Sequence, residues 1–183
     1  PNCGVGKLGL VEGAFIEKYA DSYTPDCPDF YPEESSIIFT MMLGCGNNDC
    51  KTHVTCTGYG APVQEYHQDG SGDHGWFTYY SAKNFEPPLV LVDIPKNTPE
   101  SVVSELSKSF AVFFKFPSMA LSCLRTALET LLNELSFSET QDSGYVSLGN
   151  KINALPDRYQ HIVKPVRAIK WLGNDGAHAG SLA

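Results

Sequence analysis

A rigid joint near the middle of the chain limits its folding more than any other feature. Pro87 and Pro88 follow Phe85 and Glu86, and each proline fixes its own φ while disfavouring helix in the residue before it. A single helix cannot run through such a pair, so the 183 residues read as two parts. The flanks also differ in kind. Up to Glu86 the chain is rich in Gly, Cys, Tyr, Thr and Asp, whereas beyond it apolar residues recur at helical spacing. The expected class is α+β: a small cysteine-bearing β module over residues 1–86 in front of an antiparallel helical module over residues 87–183.

Hydrophobic residues make up 42% of the chain and charged residues 19%, the composition of a folding globular protein. A chain of this length buries enough surface to do without disulfides, so the cysteines need another explanation. The net charge of −8 works against non-specific binding to a phosphate backbone. No apolar run is long enough for a membrane helix, and the opening PNCGVGKLGL lacks a basic stretch followed by an apolar core. A cytoplasmic protein without a membrane partner is expected. Starting at Pro1 and stopping at Ala183 after a glycine-rich turn, the sequence reads as cut at both ends.

In the first part, Ser36 to Leu43, Thr52 to Thr57 and Trp76 to Tyr80 read as short strands separated by turns. Leu89 to Ile94 reads as one more apolar strand-like run. Helix follows, with Thr98 as cap and Pro99 at the first helical position, and it should reach about Lys115. Pro117 closes that helix and Ser118 caps a second, whose stripe is Leu121, Leu124, Leu128, Leu131, Leu132 and Leu135. Phe137 to Tyr145 reads as loop. A shorter helix carries Leu148, Ile152 and Leu155 and ends at Pro156, and a last one carries Val166, Ile169 and Leu172 before Gly173 stops it.

Of the six cysteines, Cys123 falls among leucines of the second helix and reads as core. Cys45 and Cys50 bracket a turn that can bring two thiolates onto one ion, with strand-like sequence on both sides, as in a zinc knuckle. Asn2-Cys3-Gly4 resembles the second half of a Cys-x-x-Cys-Gly knuckle whose first cysteine would precede Pro1. Cys3, Cys45 and Cys50 are thus the candidate ligands of a structural zinc ion, with Cys27, His53 and Cys56 as substitutes. Ordinary reduced thiols and disulfides remain open as alternatives. His67 and His74, with Asp69 and Asp73, fall in a loop-like segment and read as solvated.

Three motifs in the second part occur in series: Arg125-Thr-Ala-Leu-Glu129-Thr-Leu-Leu, Leu148-Gly-Asn-Lys151-Ile152-Asn-Ala-Leu155, and Ala168-Ile-Lys-Trp-Leu-Gly173-Asn174-Asp-Gly-Ala-His178. Together they resemble the prokaryotic domain-of-unknown-function family 4145, which is grouped with HEPN-like helical domains. The resemblance covers about Phe85 to Ala183, and the cysteine module resembles the zinc-ribbon-like front end of some members. It implies a helical bundle that pairs with a copy of itself or with a partner. In many HEPN domains an Arg and a His with four to six residues between them meet across a dimer to cleave RNA without metal. His178 holds the histidine position here, but Gly173, Leu172 and Trp171 stand where the arginine would be. The cations nearest it in sequence are Lys170 and Arg167.

The candidate site of the helical module is therefore His178, Lys170, Arg125, Glu129 and Asn174. His178 would exchange a proton and Lys170 or Arg125 would face a phosphate. The opposing reading makes Gly173, Asn174 and Gly176 a helix-ending turn locked by His178, and Arg125 with Glu129 an exposed ion pair. The functions weighed are a binding and dimerisation module linked to prokaryotic phage defence or nucleic-acid processing, a ribonuclease acting on RNA, and a nucleotide-binding regulatory domain with a pocket near Asn174.

Overall fold

The structure, a computed structural model, describes residues 3–4, 6–66, 74–135 and 146–178, with backbone alone at 66, 74 and 174–178. The chain is α+β and divides into two compact units, residues 1–89 and 90–183.

The first unit is an antiparallel sheet of four strands, β1 (Leu8–Tyr19), β2 (Ile37–Cys45), β3 (His53–Tyr66) and β4 (His74–Glu86), in spatial order β1-β2-β3-β4. Strand β2 alternates: Ile37 and Phe39 are buried while Ile38 and Thr40 are exposed, the period of two that lets a sheet cover one face. On that covered face Phe39 lies opposite Gly58, and Phe15 opposite Met41. Phe15, Phe39 and Tyr80 meet there, with ring centroids 5.2 to 5.9 Å apart. Gly58 makes room for them, since a Cβ on it would fall 2.8 Å from the Phe39 ring and 2.1 Å from the Ser81 carbonyl. The Tyr80 hydroxyl donates to the Glu17 carboxylate. Burial, then Glu17, pushes the phenol above its usual range.

The strands are longer than the sequence suggests, and β1 goes unsignalled. Its sequence LGLVEGAFIEKY does not alternate cleanly, because the register shifts between Leu10 and Phe15, where Gly13 has φ +71°. The run from Leu89 to Ile94 forms no strand. Pro87, Pro88 and Pro95 remove donors from both of its ends.

The second unit holds α1 (Glu100–Val112), α2 (Pro117–Glu134), α3 (Leu148–Asn153) and α4 (Gln160–His178). Leu132, Leu148, Ile152, Leu155, Val163 and Val166 form its core, with Leu128, Tyr159 and Ile162 packed against them. The Ser109 hydroxyl, buried, donates to the Ala120 carbonyl at 2.8 Å and ties α1 to α2. Pro99 is the cap of α1 and offers no side-chain bond, which displaces Thr98 from that role, and α1 ends at Val112 short of Lys115. Pro117 opens α2 rather than closing α1, and Ser118 lies inside the helix; a proline in a first turn forfeits no hydrogen bond. Cys123 is half-buried on α2. The expected loop at 137–145 lies outside the described residues.

Helix α4 does not stop at Gly173 but continues to His178. Gly173 serves close packing: a Cβ there would stand 2.8 Å from the Arg125 Cβ and 3.0 Å from the Leu121 carbonyl on α2. The expected turn at Gly173, Asn174 and Gly176 is therefore helix.

Candidate functional site

In the β unit, the segment before β1 and the turn between β2 and β3 bring three cysteines together. The sulfur atoms of Cys3, Cys45 and Cys50 all lie within 4.8 Å of one another, and each residue is half-buried. The Cys3 and Cys45 sulfurs are 3.7 Å apart. Two thiolates on a tetrahedral zinc with bonds of about 2.3 Å stand about 3.8 Å apart. A disulfide would need about 2.05 Å, and all six cysteines are free.

The backbone prepares this arrangement. The Gly6 N–H donates to the Cys3 sulfur at 3.3 Å and the Asn47 N–H to the Cys45 sulfur at 3.4 Å. Such donors stabilise negative charge on sulfur. The Cys50 N–H donates to the Asn47 carbonyl at 3.0 Å, closing the turn. Lys51 leaves it at φ +49°, a conformation uncommon for a side chain like lysine. Gly6 faces the cluster directly: its Cβ would fall 2.3 Å from the Cys45 sulfur and 3.3 Å from the Cys3 sulfur. The space beside the thiols exists because this residue has no side chain.

The thiols are not equivalent. For Cys45 the Asn47 N–H acts downward, but burial, its hydrogen bonds with Cys3 and Cys50 and the Cys3 charge outweigh it, so the net shift is upward. Cys50 is held below its usual range by its side-chain and backbone hydrogen bonds to Thr52. Cys27, His53 and Cys56 do not join the cluster. Cys27 donates to the Ser22 carbonyl at 3.4 Å. Cys56 is fully buried in the sheet, where burial pushes its thiol up. His67, Asp69 and Asp73 lie outside the described residues, as does the side chain of His74.

In the helical unit the candidate residues are divided among several contacts. Arg125 packs against α4 at Gly173. Glu129 faces α3, where its carboxylate accepts from Lys151 at 3.3 Å. The Lys151 side chain is only 6% exposed and that of Glu129 22%, so Glu129 belongs to a half-buried interhelical pair and not to an exposed pair with Arg125. Lys151 is the residue that sequence reading missed. Its signal was a charge between Leu148 and Ile152, two positions of one apolar stripe.

Lys170 lies against Gly149, where a Cβ would come within 2.8 Å of its ammonium, and its charge sits 5.8 Å from the Trp171 ring centroid. Together with Ile152, Asn153 and Arg167 these residues line a recess of about 420 Å³ between α3 and α4. Arg167 donates to the Asn153 side-chain carbonyl at 2.8 Å. The side chains of His178 and Asn174 lie outside the described residues. Because α4 is continuous, Lys170 and the backbone of His178 are eight residues apart, about 12 Å along the axis.

Residues 107–182 match a family described as Domain of unknown function (DUF4145), and residues 1–89 match one described as Domain of unknown function (DUF8608). The first match supports the likeness drawn from the three motifs. No curated protein and no solved structure matches the chain. Among the described residues, no helix is long and apolar enough to cross a membrane.

Proposed function

We propose that this chain is a metal-stabilised binding module of the cytoplasm, a zinc-ribbon-like β unit joined to a HEPN-like helical unit that engages a protein partner in prokaryotic phage defence or nucleic-acid processing. The 3.7 Å separation of the Cys3 and Cys45 sulfurs carries the metal half of this reading. It is a zinc-dithiolate spacing reached with Cys50 within 4.8 Å, and thiolates select zinc over hard cations. Cys3, Cys45 and Cys50 would hold three corners of the tetrahedron. The ion would act as a cross-link, tying the start of β1 to the turn between β2 and β3.

Binding rather than cleavage is supported by where the polar groups go. Glu129 is engaged with Lys151, Arg125 packs on Gly173, and Lys170 is too far along α4 to act beside His178 within one chain. Elemental analysis of purified protein tests the metal. One zinc per chain is expected, reduced to a small fraction in Cys45→Ser; a wild-type protein free of zinc after growth in zinc-replete medium would remove the reading. The same wild-type protein should leave RNA intact. RNA cleavage that disappears in His178→Ala would establish the ribonuclease in its place.

A second reading has an observation of its own. The α3–α4 recess presents Arg167 and Lys170 beside the exposed indole of Trp171, cations for a phosphate and a ring for a base. This favours an anionic planar ligand such as a nucleotide. Calorimetry with nucleoside mono- and triphosphates should give binding that weakens at least tenfold in Lys170→Ala, and no heat with any of them would dismiss it.

A further inference from the structure

On the side of the sheet opposite the Phe15, Phe39 and Tyr80 cluster, several large apolar side chains are exposed among the described residues. Directly paired residues in an antiparallel sheet share a face, so Ile38 lies beside Tyr59 and Val63 beside Phe77, while Tyr79 pairs with Ala61 between them. Ile16, opposite Thr40, is the diagonal neighbour of Ile38. These side chains are exposed: Ile16 61%, Ile38 46%, Tyr59 54%, Val63 42%, Phe77 44% and Tyr79 56%. Half-exposed side chains of this size present roughly 100 Å² each, so the six offer roughly 600 Å². That is the largest patch a monomer ordinarily carries, and two such patches reach the roughly 1,200 Å² at which specific interfaces begin.

Charge narrows the choice of occupant. Residues 1–89 contain four Lys or Arg and twelve Asp or Glu, a net −8 that equals the net charge of the whole chain. Two copies of this unit repel each other through most of their surfaces. On the face in question the paired positions also include Thr40, Thr55, Thr57, Ala61, Ser81 and Asn84, and the charged or titratable residues sharing it lie on the edge strands or at strand ends: Lys18 beside Ile38 on β1, His53 and Glu65 at the two ends of β3, and Glu86 at the end of β4. A patch with an uncharged centre on an acidic unit is self-complementary, as a two-fold interface requires, and is the place where a second copy can dock with its carboxylates kept to the rim.

We infer that this sheet face binds the same face of a second copy of the chain, forming a two-fold dimer through the β units. The pairing is independent of any partner engaged by the helical unit. Sedimentation of the full chain, zinc-loaded as purified, tests it. Wild type should sediment as a dimer at micromolar concentration and remain one in molar salt, because apolar burial is not screened. Tyr59→Asp combined with Tyr79→Asp should raise the dissociation constant at least a hundredfold. Unchanged zinc content and helical circular dichroism would show that this variant folds. A wild-type monomer throughout the concentration range would overturn the inference. So would a folded double variant that dimerises as wild type does, since the pairing would then lie elsewhere in the chain.

Discussion

The two units hold their shape by different means. Among the described residues, ten hydrophobic side chains are buried in the helical unit, from Val102 to Val166, against four in the β unit: Ile37, Phe39, Val54 and Cys56. A sheet with so thin a core lacks the apolar burial on which a small domain stands, and such domains rely on a staple. The three-thiol cluster sits where a staple has the most effect, between the start of β1 and the turn joining β2 to β3. The helical unit needs no such device, since Leu148 and Ile152 are each 1% exposed and full burial of a side chain of that kind contributes about 1.5–3 kcal/mol.

The strongest way to break this comparison is to remove the zinc proposed at the cysteine cluster. Cys45→Ser, or a chelator that strips zinc, should unfold the β unit and leave the helical unit standing, because metal binding and folding are one equilibrium in stapled domains. The molecule supplies a reporter for each side: its two tryptophans are Trp76 on β4 and Trp171 on α4. In a Trp171→Phe background the remaining fluorescence should move to that of an unfolded chain, while helical circular dichroism melts where it did before. Simultaneous loss of both signals would show that the units share one stability.

The converse experiment is a cavity in the helical core. Ile152→Ala should cost the helical unit about 2–5 kcal/mol, read as a lower melting temperature for circular dichroism, while zinc content stays at the wild-type value. A smaller loss is expected from Glu129→Gln, which leaves the buried ammonium of Lys151 without its carboxylate, at about 1–3 kcal/mol in denaturant titration. Adding Lys151→Met to it should recover much of that loss, since an apolar side chain replaces a stranded charge. If the double variant is no better than the single one, the pair is not what holds α2 to α3.

The two units also differ in how far the sequence reveals them. The leucine stripe of α2 and the apolar positions of α3 could be read directly, because a helix repeats its pattern over several turns within one stretch of chain. Strand β1 could not, since Gly9, Glu12 and Gly13 interrupt its alternation and its register shifts. The Cys45 and Cys50 part of the cluster was legible from chemistry, since a turn with thiols at both ends implies convergence, and Cys3 joined it through the resemblance of Asn2-Cys3-Gly4 to half of a Cys-x-x-Cys-Gly knuckle. The Lys151 partner of Glu129 and the packing of Arg125 on Gly173 could not be read from the sequence, because which side of a helix meets which neighbour is settled by packing between distant segments. Gly6 illustrates the same limit. Two glycines after Cys3 are too sparse for a phosphate loop, and only the fold shows that one of them clears the space beside the sulfurs.

The smallest expected effect bears on the residue whose role changed most. Gly173 in a helix interior should gain about 1 kcal/mol from Gly173→Ala through propensity alone. Against this, the new methyl would stand 2.8 Å from the Arg125 Cβ and 3.0 Å from the Leu121 carbonyl, and overpacking of that kind costs about 1–3 kcal/mol. A net destabilisation of about 1 kcal/mol follows. Gly173→Asn separates the two explanations for the glycine: a helix-ending position with positive φ tolerates asparagine better than alanine, whereas a close crossing of α2 and α4 penalises the larger side chain more. The order expected in thermal melts is therefore Gly, then Ala, then Asn, and Asn ranking above Ala would restore the turn at the end of this helix.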